Sequence, residues 1–153
     1  MNETTAEVRI RCLEDTDLGD ITGIDEKIGG SYRPQVWEQR MAYYSRRDPD
    51  ASMVAESGGR VVGFMFGEIR SGEFGMEEPT GWIEVLGVDP EARGQAVGRR
   101  LAESMMDYFE SSGATAVRTM VDAEMVGIER FFESLGFEPA SLRPFVKQLG
   151  EGR

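Results

Sequence analysis

A mixed β-sheet covered by helices, in the α/β class, is the architecture this sequence predicts, on three observations. Segments with period-2 alternation and segments with an apolar stripe at helical spacing follow one another in the order β-α-α-β-β-β-α-β-α-β. No repeat, low-complexity tract or long linker interrupts the 153 residues, so a single domain over 8–153 is expected, behind polar residues 1–7 that should be frayed. Hydrophobic residues make up 40% and charged residues 29%, a balance that suits a packed core and neither a disordered chain nor a membrane protein.

Each element has a local reason. Val8, Ile10 and Cys12 alternate with Arg9 and Arg11 as a strand with one buried face would. Asp15 or Thr16 can cap a helix whose stripe is Leu18, Ile21, Ile24 and Ile28, stopped by Gly29-Gly30. Pro34 suits the first turn of a second helix carrying Trp37, Met41 and Tyr44. Ser52 to Glu56 and Val61 to Ile69 form a hairpin across Ser57-Gly58-Gly59-Arg60, and an apolar strand from Trp82 to Val88 ends at Asp89-Pro90. A third helix should bury Val97, Leu101, Met105 and Tyr108. Ala116 to Val121 reads as a strand, and Met125 to Leu135 as a helix closed by Gly136. Phe137 and Pro144 to Leu149 are expected as final strand-like pieces.

Composition excludes several chemistries. The chain has no histidine, which removes His-based triads, imidazole acid–base catalysis and His–zinc sites. Its one cysteine, Cys12, excludes an internal disulfide or a CxxC pair, and reads as a small buried hydrophobe. No metal is expected. The net charge of −11 opposes binding to nucleic acid or anionic lipid. No apolar run approaches the ~20 residues that span a bilayer. The opening MNETTAEVRIR lacks the order of a secretory signal, so a cytoplasmic location is expected.

The most informative stretch runs from Val85 to Leu101: a strand, a sharp stop, a small-residue turn and the start of an amphipathic helix. The first N–H groups of a helix lack partners and carry partial positive charge. Gly94, Ala96 and Gly98 would let a pyrophosphate come close to them, and Arg93, Arg99 and Arg100 form the densest basic cluster in an acidic chain. The turn is neither a P-loop nor a dinucleotide GxGxxG, since Arg99-Arg100-Leu101 follows and Gly94 and Gly98 are four apart. Taken alone, it fits a tightly packed helix cap equally well.

Arg93-Gly94-Gln95-Ala96-Val97-Gly98 resembles the acetyl-CoA signature of the GNAT N-acetyltransferase superfamily, Q/R-x-x-G-x-G/A. Leu86-Gly87-Val88-Asp89-Pro90 is similar to the family's L-x-V-x-P strand. Ile128 to Phe137 resembles its closing A-x-x-F-Y-E-x-x-G-F helix, and Val54-Ala55-Glu56 with Gly59 to Gly63 its central hairpin. The resemblance implies a mixed, mostly antiparallel sheet splayed in the middle and flanked by helices. It implies acetyl-CoA as co-substrate, its pantetheine arm on the backbone of Leu86, Gly87 and Val88 and its pyrophosphate on Arg93, Gly94, Gln95, Ala96, Val97, Gly98 and Arg99. It further implies transfer of the acetyl group to a primary amine, on a small molecule, peptide or protein, by direct attack in a ternary complex. It also admits a homodimer.

Three positions depart from the family pattern. Ala96 replaces the central glycine, Met125 stands where many relatives have asparagine, and Phe132 where many have a tyrosine that protonates the leaving thiolate. The last two motivate the alternative of a non-catalytic acyl-CoA-binding sensor. For the base, Glu84 leads: simple alternation puts it on the face of Leu86 and Val88, although a strand glutamate paired with an arginine fits as well. Glu77 and Glu78 could relay a proton or simply form a solvated acidic loop.

Overall fold

The computed structural model describes residues 7–94 and 96–150. The expectation for residues 1–7 lies, apart from Glu7, outside the described residues. Two compact units, 1–120 and 121–153, are described in turn.

The first unit contains β1 (Val8–Cys12), α1 (Leu18–Gly29), α2 (Pro34–Arg47), β2 (Ser52–Ser57), β3 (Arg60–Arg70), β4 (Thr80–Val88), α3 (Val97–Ser111) and β5 (Ala116–Thr119). Its five-stranded sheet has the order β1-β2-β3-β4-β5. The first three pairings are antiparallel and β4–β5 is parallel, the mixed and mostly antiparallel sheet that was expected. Parallel pairing covers only Thr80↔Ala116 to Ile83↔Thr119, so β4 from Glu84 to Val88 keeps β3 alone as a described partner. The pairing stops there because β5 itself ends at Thr119.

Local chemistry sets the helix ends. The Glu14 N–H donates to Asp17 Oδ2 at 2.9 Å, one short turn before α1, and Arg11 holds the same carboxylate with two hydrogen bonds. Gly30 ends α1 at φ 85°, its N–H donating to the Glu26 carbonyl. The stripe of α1 departs from expectation at its end. Ile28 is exposed, and Asp25 is buried instead, ion-paired with Arg33 at 2.8 Å.

One face of the sheet carries a core of Ile21, Ile24, Trp37, Met41, Val54, Val61, Phe64 and Phe66, under α1 and α2. Trp37 meets Phe64 edge-on at 5.1 Å. On the other face α3 lies close because three glycines make room. A Cβ at Gly63 would sit 2.7 Å from Val97 Cγ1, one at Gly67 3.0 Å from Met105 Cε, and one at Gly81 inside the Phe109 ring. Val97, Leu101, Met105 and Phe109, four residues apart, form the ridge; all are buried. Tyr108, expected in this stripe, turns aside and donates to Asp48 Oδ1 at 2.6 Å.

Between Phe66↔Val85 and Gly67↔Ile83 the register of β3 and β4 shifts by one residue, leaving Glu84 as the extra residue of a β-bulge. Gly67 is the residue opposite, and a Cβ there would strike the Trp82 carbonyl as well as Met105. Gly67→Ala should therefore destabilise the protein by about 1–3 kcal/mol through overpacking. A denaturant midpoint equal to wild type would show that the bulge does not depend on this contact.

Cys12 is exposed, contrary to expectation, because it is the last residue of an edge strand.

In the second unit α4 spans Val126–Ser134. Phe132 is buried and meets Phe131 and Phe137 edge-on at 5.0 and 5.1 Å, and Gly136 takes φ 95° as a helix stop. Asp122 does not cap α4; its Oδ1 accepts from the Glu124 N–H, one turn earlier. The strand-like pieces expected at Phe137 and at Pro144 to Leu149 do not form. Alternating apolar residues make a strand only with a neighbour to pair with, and Phe145, Val146 and Leu149 are instead more than 80% exposed.

Candidate active site

The turn between β4 and α3 is built around Asp89. Its N–H donates to the Val62 carbonyl at 2.8 Å, continuing the β3–β4 ladder. Its carboxylate is almost fully buried, accepts from the Glu91 N–H at 2.9 Å, and holds Lys27 Nζ of α1 at 3.2 and 3.1 Å. Burial alone would raise the Asp89 pKa. The Glu91 N–H, Lys27 and the charge of Arg60 outweigh it and hold the group below the ordinary 3.8. A depressed carboxyl contributes stability that is present above its unfolded value and lost as pH falls through the folded one. Wild type should therefore lose melting temperature more steeply below about pH 4 than Asp89→Asn; parallel curves between pH 2.5 and 5 would remove Asp89 from the acid transition.

Beyond Asp89 the chain passes Arg93 in extended geometry, Gly94 at φ 91° and Ala96 at φ 61° before α3 begins at Val97. Gln95, expected in this turn, lies outside the described residues. Ala96 occupies the left-handed region, where an L-residue costs roughly 1–2 kcal/mol and glycine nothing. Its substitution for the family glycine thus puts a strained backbone, as well as a methyl group, at the mouth of the helix. The Arg100 N–H donates to the Ala96 carbonyl at 3.0 Å, and Ala96 offers no capping side chain. The N–H groups of Val97 and Gly98 belong to the first turn of α3. Arg93, Arg99 and Arg100 are all exposed, with Arg99 also 3.5 Å from Glu103. Arg100 lines a groove of about 630 Å³ with Val8, Arg9, Glu56 and Ser104.

The bond from Asp89 to Val62 fixes which backbone groups of β4 are open. Antiparallel pairs alternate, so Gly87 points its N–H and C=O at β3, while Leu86 and Val88 point theirs at the side that β5 leaves uncovered. Gly87 has its own packing reason: a Cβ there would enter the Phe64 ring. Val88 pairs with Gly63 on the α3 face of the sheet.

Glu84 is not on that face. The bulge interrupts alternation, and its carboxylate lies on the α2 side, where Oε1 accepts from the Tyr44 hydroxyl at 3.0 Å and Oε2 from Arg70 Nη2. This corrects the placement expected from simple alternation. Arg70 Nη1 also donates to Glu68 Oε2 at 3.0 Å, Arg47 Nε donates to Glu68 Oε1 at 3.0 Å, and Tyr43 lies at 3.4 Å from Oε2. Burial, then the charge of Glu84, push the Tyr44 phenol above its ordinary pKa, so it remains a donor to Glu84. Glu77 and Glu78 lie in the loop before β4.

Asp89, Lys27, Tyr44, Glu68 and Arg70 are not singled out as site residues by the sequence alone. Only Glu68 carried a signal: it follows Phe64 and Phe66 at period two and so had to be a charge on a buried face.

The pattern of the Acetyltransferase (GNAT) family matches residues 20–137. A mycothiol acetyltransferase of Thermobispora bispora is 37% identical over 90 residues, covering 59% of this chain and 30% of that protein. A mycothiol acetyltransferase of Acidothermus cellulolyticus is 35% identical over 122 residues, covering 74% and 37%. The chain thus spans about a third of the length of these relatives. An aminoglycoside N-acetyltransferase solved in complex with CoA shares the fold at TM-score 0.82 and 19% identity, over 97% of this chain and 99% of that one. With the family pattern covering most of its length, and with the mixed five-stranded sheet under its helices, this chain belongs to the GNAT acetyltransferase family.

Proposed function

We propose that this domain transfers the acetyl group of acetyl-CoA to a primary amine by direct attack. The observation that carries the reading is the succession along the chain of two backbone surfaces, the Leu86–Val88 stretch of β4 that β5 does not pair and the first turn of α3. An extended pantetheine arm can add to that edge as a strand would. A pyrophosphate can then rest on the N–H groups of Val97 and Gly98, with Arg93 and Arg99 supplying positive charge. Leu86, Val88, Arg93, Gly94, Gln95, Ala96, Val97, Gly98 and Arg99 remain the proposed cofactor-binding set, while Gly87, whose N–H and C=O are turned to β3, serves it only as the spacer between Leu86 and Val88.

An alkyl ammonium of pKa ~10 must lose a proton before it attacks. Glu84 is the proposed acceptor of that proton, directly or through one water. Tyr44 and Arg70 each engage one lone pair of its oxygens, and the remaining lone pairs are available to the amine. The amine nitrogen bonds to the thioester carbonyl carbon, the C–S bond breaks, and the proton the nitrogen then sheds passes through water to the departing thiolate. The Val88 N–H, on the open edge, is the proposed donor to the oxyanion. A cationic acceptor in the cytoplasm suits the acidic chain, and mycothiol-related amines belong among the acceptors tried because the chain is similar to mycothiol acetyltransferases.

Release of free CoA thiol from acetyl-CoA, followed with a panel of polyamines, aminosugars, mycothiol-related amines and N-terminal peptides, tests the proposal. Amine-dependent release supports it. Binding of acetyl-CoA with no release across the panel would transfer the site to the sensor alternative.

A further inference from the structure

The bulge that moves Glu84 to the α2 side also removes its partner in the ladder, so the pleat of β4 does not dictate where its carboxylate points. Another contact has to. We propose that Arg70, anchored by the buried Glu68, is the positioning residue that fixes Glu84 for proton transfer. The inference rests on the reading of Glu84 as the base.

Four observations support it. One planar guanidinium bridges two carboxylates, Nη1 on Glu68 and Nη2 on Glu84, a geometry that a lysine point charge does not reproduce. Arg70 also lies over the Trp82 ring at 5.3 Å, which fixes the plane of the bridge. Glu68 is only 4% exposed, and both its oxygens are engaged, Oε1 by Arg47 and Oε2 by Arg70 and Tyr43. Such a buried charge cluster is seldom the most stable filling for a sheet face, because a well-packed apolar group avoids its desolvation. Keeping it there makes sense if Glu68 holds Arg70 at the bulge. Finally, Tyr44 takes the other oxygen of Glu84, so the two contacts together fix the carboxylate from opposite ends.

The test compares Arg70→Met, Arg70→Lys, Glu84→Gln and the Arg70→Met/Glu84→Gln double variant, using the fastest acceptor of the amine panel. Calorimetry with acetyl-CoA confirms that each variant is folded, since Arg70 lies outside the cofactor surfaces. Arg70→Met should lower kcat about 10- to 100-fold, the cost of displacing a reacting group by about an ångström, with acetyl-CoA affinity unchanged. Arg70→Lys should fall between it and wild type. In the Glu84→Gln background Arg70→Met should add less than a twofold loss, because a positioning residue has nothing left to position. If Glu84→Gln is slow while Arg70→Met is not, or if the two losses multiply, Arg70 is not a positioning residue. If Glu84→Gln turns over at the wild-type rate, the base assignment falls and this role falls with it.

Discussion

Gly98→Glu will leave the domain folded and abolish acetyl-CoA binding. Gly98 is the second residue of α3, in its first turn. A carboxylate in that turn suits the helix dipole by about 0.3–1 kcal/mol, and replacing a helical glycine gains up to about 1 kcal/mol more, so the melting temperature should hold or rise. The same charge opposes a pyrophosphate. At 4 Å and an effective dielectric of 20, one pair of like charges costs about 4 kcal/mol, roughly a thousandfold in Kd. Calorimetry decides it: unchanged affinity in a folded variant would place the pyrophosphate elsewhere.

The second large effect is expected at the bulge. Glu84→Gln keeps the shape of the side chain and an oxygen for Tyr44 or Arg70, but cannot take a proton. The loss in kcat should be about 10²–10⁴-fold, the usual contribution of a positioned base, with acetyl-CoA affinity unchanged. Steady-state thiol release at saturating amine measures it directly. A wild-type rate would leave Glu84 as the arginine-paired strand residue that its contacts with Arg70 also describe.

How far the sequence carried the argument differs by element, for physical reasons. The α3 ridge was legible because Val97, Leu101 and Met105 recur at helical spacing, a local property; that Phe109 and not Tyr108 continues it depends on Gly81 lying beneath. The turn from Arg93 to Gly98 was legible because a helix start after small residues is also local. The bulge was not. Whether Ile83, Glu84 and Val85 alternate depends on their partners in β3, and the register shift arises opposite Gly67, far away in sequence. A charge within an apolar strand implies a partner for Glu84, but that the partner is Arg70 needs the fold, as does the link from Lys27 to Asp89 across 62 residues. The missing strands after Phe137 follow the same rule, since an apolar alternation says nothing about whether a neighbour is present to pair with it.

The most direct test of the central claim, that the open edge of β4 and the first turn of α3 together seat acetyl-CoA, is a titration of the isotope-labelled protein with acetyl-CoA, followed through its backbone amides by NMR. The account predicts saturable shifts concentrated on residues 84–88 and 93–100, with Leu86, Val88, Val97, Gly98 and Arg99 among the largest. Shifts centred on the groove by Val8, Arg9 and Ser104, or no saturable shifts at all, would contradict it.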